Sequence, residues 1–408
     1  MFIRHSLLAT LTTAFLAGVS AAAPAPGAVR SLPPAPIAAR SGWSTPVTVL
    51  EPPCAPDFST ATAAVGPRGE LHGFAAFSGG TCADAGMWYF HGSGRRWSRE
   101  PSPYRGDVLA TAADRTGAWV LFLGGNGYDQ VRLGRRSAAG AWSAPRTLSR
   151  LEGSAVASGV QGASLVASGG RWWAVWAQAL PDPQSSAPAT TLFQAKTIGG
   201  ALSARRITAA SPAQQESRPS LALRTGRSGA PAGAMLVWSR DIAGAVTGVQ
   251  NDELRYGAAT PDGRWSQRVS VPAAPEPAAV SPVIATSGPR TWVAWRRLGM
   301  AVDEEPDSAV LVGAPAAGPR TVRVFPGAGS EPVFAAAPGR LAAAWSAPDR
   351  AAAVVASRAA GRWTVRTIGA GPDARGVRPI GVALTGHATT LLVQVRSAGG
   401  RISALTGR

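Results

Sequence analysis

The stretch G-W-S-T-P at Gly42–Pro46 decides how the rest of the sequence is read. A near copy, A-W-S-A-P, occurs at Ala141–Pro145, and similar R-W-S or R-W-T segments begin at Arg96, Arg264 and Arg362. Each later copy follows other strand-like segments, whereas nothing strand-like precedes the copy at Gly42. The pattern therefore predicts that Gly42 begins the last strand of a repeat whose other strands lie elsewhere in the chain.

Seven apolar segments recur along the chain, and their large apolar end residues lie 45 to 62 residues apart. A repeat of this length, made of short strands and glycine-rich turns, predicts a β-propeller with one segment as the second strand of each blade. Because the segments are apolar on both faces, we expect burial between neighbouring blades and interpret their tryptophans as packing residues. The segments end at Phe77, Phe122, Trp176, Trp238, Trp295, Trp345 and Val395.

The predicted fourth strands begin at Trp43, Trp97, Trp142, Leu202, Trp265, Val322 and Trp363. The last unit has the strands R-P-I-G-V-A-L, T-T-L-L-V-Q-V and R-I-S-A-L-T but no fourth strand. Since the strand at Trp43 has no unit of its own, the two complete each other and leave no free sheet edge at the seam. The predicted fold class is all-β: a seven-bladed β-propeller over residues 41–408, closed by pairing the N-terminal strand with the C-terminal blade.

Residues 1–23 have the features of a signal peptide, because Arg4 and His5 precede an apolar run that is too short to span a bilayer. Residues 24–40 form a Pro/Ala-rich leader. We therefore expect a secreted, extracellular protein without a membrane span. In an oxidising compartment Cys54 and Cys82 are expected to form one disulfide that clamps the seam, and two free thiols are the alternative.

The formal net charge of +17 comes almost entirely from arginine, since Lys196 is the only lysine. The sequence has no basic tract and its composition is typical of GC-rich coding, so we expect no nucleic-acid partner. No cofactor is expected, because the histidines and cysteines lack metal-ligand spacing. Acidic loops at residues 251–253 and 302–307 leave Ca²⁺ as an alternative. We expect the protein to be a monomer.

The two faces of the predicted propeller differ in charge and loop length. The upper face carries the connections between blades and the loops between second and third strands; the lower face carries the remaining turns. Most acidic residues and the longest loops fall on the upper face, the usual place for binding. The lower face is predicted to be rich in arginine, either because it contacts an anionic wall polymer or because of codon usage. Its arginines are Arg68, Arg95, Arg96, Arg115, Arg135, Arg136, Arg171, Arg227, Arg264, Arg290, Arg320, Arg340 and Arg362.

One position recurs just before each innermost strand and should ring the mouth of the central channel. It is occupied by Asp57, Asp107, Gln161, Arg218, Ser281, Glu331 and Arg378. These side chains, with Tyr104 and Tyr128 nearby, form the predicted ligand-binding site. Carboxylates and guanidinium groups at one opening bind sugars through bidentate hydrogen bonds, and two carboxylates provide acid–base chemistry for glycoside cleavage. An ion-pair ring that closes the channel is the alternative.

The G-x-W-S-x-P fourth strands and the V-W second strands resemble those of secreted bacterial β-propellers of the sialidase-like and lectin-like kind. The resemblance covers nearly all of residues 41–408 and implies the fold. The sialidase Asp-box pattern S-x-D-x-G-x-T-W has its nearest fragment at Thr260–Trp265, which is two residues short. We expect a carbohydrate or cell-surface ligand, such as a wall polymer, to bind on the upper face without catalysis. The alternatives are a glycoside hydrolase or lyase that uses Asp57, Asp107 or Glu331, and a scaffold for protein partners.

Overall fold

The computed structural model describes most of the propeller, and all regular secondary structure in the described part is β-strand. This part contains no helix that is long and apolar enough to cross a membrane. The described residues are 42–51, 58–77, 86–153, 159–181, 189–209, 215–226, 230–241, 252–268, 279–287, 290–297, 309–314, 323–349, 351–369, 376–396 and 400–407.

Seven antiparallel sheets of four strands each form the blades, and six of them are built from strands in chain order. Blade 1 contains β2 (Phe58–Val65), β3 (Leu71–Phe77), β4 (Met87–Ser93) and β5 (Arg96–Pro101). Blade 2 contains β6 (Asp107–Asp114), β7 (Gly117–Gly124), β8 (Gln130–Ser137) and β9 (Arg146–Arg150). Blade 3 contains β10 (Val160–Ser168), β11 (Arg171–Leu180), β12 (Ala189–Lys196) and β13 (Leu202–Arg206).

The second half of the chain repeats this arrangement and ends in the closing blade. Blade 4 contains β14 (Gln215–Thr225), β15 (Pro231–Asp241), β16 (Asp252–Ala259) and β17 (Trp265–Arg268). Blade 5 contains β18 (Ala279–Ser287), β19 (Arg290–Arg297), β20 (Ala309–Gly313) and β21 (Arg323–Pro326). Blade 6 contains β22 (Val333–Ala337), β23 (Arg340–Ser346), β24 (Ala352–Ala359) and β25 (Arg362–Gly369). Blade 7 contains β26 (Gly376–Thr385), β27 (Ala388–Arg396), β28 (Arg401–Gly407) and β1 (Val47–Leu50).

Blade 7 confirms the closure predicted from the sequence. Strand β1 pairs antiparallel with β28, with Val47 opposite Ala404, and becomes the fourth strand of the last blade. Trp43 forms an isolated bridge with Gly407, where a Cβ would lie only 2.5 Å from the indole ring. The seam therefore has paired strands on both sides, as in every other blade.

Two fourth strands begin later than their tryptophan predicted. Strand β1 begins at Val47 and β9 at Arg146, each just after a proline, whereas Trp43 and Trp142 make only isolated bridges. The prolines of the W-S-x-P segments have no N–H to donate to a neighbouring strand. Regular pairing therefore starts on their C-terminal side.

The core lies between blades, where the second strands pack on both faces. The indole rings of Trp173, Trp176, Trp238, Trp295 and Trp345 are at most 1% exposed. Blades 3 to 6 thus bury large rings against their neighbours, which supports the interpretation of these tryptophans as packing residues rather than as a sugar-binding row.

Small hydroxyl side chains join the innermost strands to one another around the channel. The Thr60 hydroxyl accepts a hydrogen bond from Val108 N at 2.8 Å, between blades 1 and 2. The Ser164 hydroxyl accepts from Leu221 N at 2.9 Å, and Ser220 accepts from Ile284 N at 3.0 Å. The described strands of neighbouring blades do not pair through their backbones, so these side chains give the main-chain N–H groups at the boundary a hydrogen-bond partner. The same bonds connect adjacent innermost strands around the channel.

Candidate functional site

The innermost strands enclose a channel cavity of about 580 Å³. Main chain and small side chains form most of its wall, and the charged residues among the described lining are Arg218, Glu331 and Arg378. Gln161 and Ser281 line it as well. The structure thus brings five of the predicted mouth residues together at one opening.

Local irregularities of the backbone determine the direction of the Arg218 and Ser281 side chains. Arg218 and Ser281 have φ angles of 50° and 55°, in the left-handed region that side chains other than glycine rarely adopt. Each precedes a proline, and the pairing with the second strand shifts register at this point. A bulge of this kind redirects one side chain without ending the strand, so both residues line the channel cavity.

Glu331 lies between two guanidinium groups. It forms an ion pair with Arg218 of blade 4, and its Oε2 lies 3.8 Å from Nη2 of Arg378 in blade 7. All three side chains are partly exposed, at 37% for Glu331 and just under half for the two arginines. The two positive charges favour the ionised form of Glu331 while leaving it accessible from the channel.

Glu216 anchors the segment that carries Arg218, and sequence reasoning placed it only among the surface acids. Its side chain is buried and accepts hydrogen bonds from Nε and Nη2 of Arg240 at 2.9 and 2.7 Å, and from the Trp238 indole. Burial raises the pKa of Glu216, an effect that the Arg240 charge opposes. No sequence pattern marks this burial, because an acid near a strand end usually lies at the surface.

Asp107 begins the innermost strand of blade 2, opposite Glu331 in the ring of seven blades. Its Oδ1 accepts a hydrogen bond from the Ser59 hydroxyl at 3.0 Å. The preceding residue, Gly106, has a φ of 135°, and a Cβ there would lie 2.0 Å from the Leu123 carbonyl oxygen. Only glycine fits this close approach, so the backbone fixes the position of Asp107 at the start of β6. Asp107 is not among the described residues that line the channel cavity.

A second recess of about 330 Å³ adjoins the mouth, because Glu331 and Arg378 line both. Arg296 at the end of β19 and Arg396 at the end of β27 complete its charged lining, with Ser330 and Ser346 beside them. Burial, and then the nearby charge of Arg396, lower the pKa of Arg378. Among the described lining residues, three guanidinium groups face one carboxylate, which gives this part of the lining a net positive charge.

The remaining predicted residues lie apart from the cavity or outside the described part. The Tyr104 ring is buried, and its hydroxyl donates to the Ser143 carbonyl at 2.8 Å. Tyr128 is 47% exposed on the loop between β7 and β8. Asp57, Cys54 and Cys82, the predicted third carboxylate and the predicted disulfide, lie outside the described residues.

A metal site also receives no support from the described part, where no group of three or more His, Cys, Asp or Glu side chains could hold an ion. The acidic segment 302–307, one of two suggested for Ca²⁺, lies outside the described residues, as does Asn251 of the other.

Comparisons with known proteins find similarity in solved structures alone, since no protein-family model and no curated protein matches. The chain is similar to the GH93 alpha-L-arabinofuranosidase of Fusarium graminearum in complex with arabinobiose, at 11% identity and a TM-score of 0.48 over 89% of this chain and 97% of that one. The sialidase of Trypanosoma rangeli gives 10% identity and a TM-score of 0.43 over 88% and 56%. The GH43_1 enzyme from Xanthomonas citri gives 10% and 0.32 over 60% and 86%. At these identities the likeness concerns the propeller fold, and the predicted resemblance to sialidase-like propellers is confirmed at that level.

The same comparison corrects one prediction. The three solved structures named above are enzymes, among them a furanosidase and a sialidase, and this contradicts the expectation of ligand binding without catalysis. That expectation, and with it the view that the protein is more a binder than an enzyme, was wrong.

Proposed function

We propose that this protein is a glycoside hydrolase that cleaves its substrate at the mouth of the central channel. The observation that carries the proposal is Glu331, a carboxylate that lines the polar channel mouth between two arginines, and we add Asp107, which begins the innermost strand of blade 2 on the other side of the ring, as its partner. Glycoside hydrolysis uses two such groups, one as the acid and the other as base or nucleophile. The cavity of about 580 Å³ falls within the range of small-molecule sites, roughly 300–1,000 Å³.

The surroundings of the two carboxylates assign their roles. Glu331 lies between Arg218 and Arg378 and is held ionised, which suits a nucleophile or a general base. Asp107 accepts the Ser59 hydrogen bond on Oδ1, and we assign it the other role, that of the general acid at the leaving group. Arg218 and Arg378 keep Glu331 in place and contact the sugar hydroxyls beside it.

The arginine recess supports a substrate that carries an acidic group. Arg296, Arg378 and Arg396 surround a space of about 330 Å³ that opens onto Glu331. Guanidinium groups bind carboxylates through paired hydrogen bonds, and an anion there would relieve the repulsion between Arg378 and Arg396. A sugar whose carboxylate occupies the recess would place its glycosidic bond near Glu331.

We also propose that the protein is exported and acts outside the cytoplasm, where polysaccharides are accessible. This rests on the signal-like residues 1–23 and on the cysteine pair Cys54 and Cys82. N-terminal sequencing of protein recovered from the culture medium, with a thiol assay before and after reduction, tests both points.

The test is release of new reducing ends from neutral and acidic polysaccharides by the purified protein. We expect release from an acidic polysaccharide, and we expect Glu331→Gln and Asp107→Asn each to lower kcat by about 10²-fold or more because each removes one proton-transfer or nucleophilic group. Arg396→Gln should raise KM for the acidic substrate more than it lowers kcat, since its contact is made in the ground state.

Glu152→Gln is the matched control, because Glu152 is an exposed carboxylate on the upper face outside the cavity. Thermal melts of all variants verify folding. Unchanged kcat in both carboxylate variants, or no reducing ends from any substrate, would refute hydrolysis at this site.

A further inference from the structure

We propose that the lower face binds a linear polymer whose repeating unit carries a phosphate or a carboxylate, independently of the channel mouth. Six successive blades each present an exposed arginine there: Arg95, Arg115, Arg171, Arg224, Arg290 and Arg362. The chain therefore carries a ring of positive charge on the side opposite the candidate active site.

The topology places these residues on one face. Within each blade the strands are antiparallel, so the turn between the first and second strands and the turn between the third and fourth emerge on the same side. Arg115, Arg171 and Arg290 lie at turns of the first kind, and Arg95 and Arg362 lie at turns of the second kind. The spread over six blades makes the ring a property of the whole face rather than of one loop.

The acids on the same turns are held by local contacts. Glu70 accepts a hydrogen bond from Arg68 N at 2.9 Å, and Asp114 accepts from Gly170 N at 2.8 Å, so each fixes a turn. Asp262 pairs with Arg264 at 2.8 Å. Among the described lower-face turns these are the three acids, and none of these contacts involves the six arginines.

The chemistry of the face selects the partner. A single exposed arginine gains little from one anion in water, so useful affinity requires many linked anionic groups. Guanidinium groups bind both phosphate and carboxylate in a bidentate manner. The lower-face tryptophans Trp97, Trp265 and Trp363 are half-buried between blades and leave few rings on which nucleic-acid bases could stack. This favours recognition of a charged backbone.

The experiment measures binding of the purified protein to long-chain polyphosphate and to poly-L-glutamate over a series of salt concentrations. The test variant carries Arg115→Gln, Arg171→Gln and Arg290→Gln. The matched control carries Arg105→Gln, Arg150→Gln and Arg206→Gln, three exposed arginines at the upper face, and so has the same net charge. Neither probe is a sugar, so the result does not depend on the proposed hydrolase activity.

We expect the protein to bind both polymers, and the test variant to bind about ten-fold or more weakly with a salt slope reduced by about two to three. The control variant should bind like the unaltered protein, and monomeric phosphate should not compete at the same anion concentration. Equal losses in both variants, or no binding of either polymer, would overturn the proposal. Tighter binding to duplex DNA or to anionic lipid vesicles than to both polymers would also overturn it, because the partner would then be of another class.

Discussion

Two boundaries between blades each bury a basic side chain near the lower face, and they satisfy it in different ways. At the boundary of blades 3 and 4, Lys196 is only 2% exposed, and its Nζ donates to the carbonyls of Ile198, Gly200 and Pro261 at 2.8, 3.1 and 2.7 Å. The ammonium group also lies 5.2 Å from the Trp173 ring centroid. The partners of Lys196 are carbonyl oxygens and an aromatic ring, and none of these groups gains or loses a proton between acidic and neutral pH.

At the boundary of blades 1 and 2 the partners can change their protonation. Nδ1 of His72 lies 2.6 Å from the Tyr89 hydroxyl, and its Nε2 lies 3.2 Å from Oε1 of Glu70. The His91 ring stacks on His72 at a centroid distance of 5.7 Å, and the Arg136 guanidinium lies over the Tyr89 ring. A neutral His72 satisfies both neighbours, because Nε2–H donates to the carboxylate and Nδ1 accepts from the phenol. The comparison teaches that a fixed charge bonds across one blade boundary, whereas at the other a titratable group bonds within blade 1, beside the Arg136 guanidinium of blade 2.

The largest effect should come from Lys196→Met, which keeps the length of the side chain and removes its charge. Three carbonyls lose their donor and the buried ammonium site is left without its charge, so we expect the free energy of unfolding to fall by about 3 kcal/mol or more. Urea unfolding measures this. Arg205→Met is the control, because exposed Arg205 donates to the nearby Gly263 carbonyl and its loss should cost about 1 kcal/mol or less. Equal losses in the two variants would contradict the role assigned to Lys196.

A smaller effect is expected from Tyr104→Phe at the boundary of blades 1 and 2. The Tyr104 hydroxyl donates to the Ser143 carbonyl at 2.8 Å and accepts from Arg135 N at 2.9 Å, and neither partner titrates. The variant should lose about 1–3 kcal/mol of unfolding free energy, by the same amount at acidic and neutral pH. Turnover should not change, because the buried ring does not line the cavity. A loss of substrate affinity with full stability would instead support the sequence-based prediction that Tyr104 binds ligand.

The sequence predicted those features of the fold that burial between blades requires in every repeat. Second strands such as the one ending at Trp238 must be apolar on both faces, and this pattern revealed seven blades and the closure by the strand after Trp43. The same periodicity placed Arg218, Glu331 and Arg378 at the channel mouth, because equivalent positions of a repeat share one location.

Periodicity could not predict contacts that depend on the direction of a single side chain. Arg296 and Arg396 reach the recess from the ends of second strands, a position with no regular residue type. Glu216 is buried only because Arg240 and Trp238 of the adjacent strand bond to it. Tyr104 occupies a connection on the upper face, yet its ring stacks on Phe122 in the core at 5.4 Å. Each of these outcomes is decided by a partner that is distant in the chain or on another strand.

The smallest effect is a pH dependence that arises at the boundary of blades 1 and 2. Burial lowers the pKa values of His72 and His91, and for His72 this exceeds the opposing effect of Glu70. The unfolded chain therefore binds more protons once the pH falls below about 6.5, so stability present above that value is lost as the pH decreases toward the folded-state pKa values. Each histidine contributes a slope of at most about 1.4 kcal/mol per pH unit. Glu70, whose pKa is lowered, and Tyr89, whose pKa is raised, titrate outside this window.

Urea unfolding at about pH 7.5 and about pH 5.5 measures the slope. The double variant His72→Gln, His91→Gln should show less loss between the two pH values than the unaltered protein, whereas His387→Gln, at the turn between β26 and β27, should behave like the unaltered protein. Lys196→Met should be destabilised equally at both values, since carbonyl partners do not titrate. The double variant could instead lose as much unfolding free energy between the two pH values as the unaltered protein does. The boundary at His72 would then be no more sensitive to pH than the boundary at Lys196, and the two would differ in geometry alone.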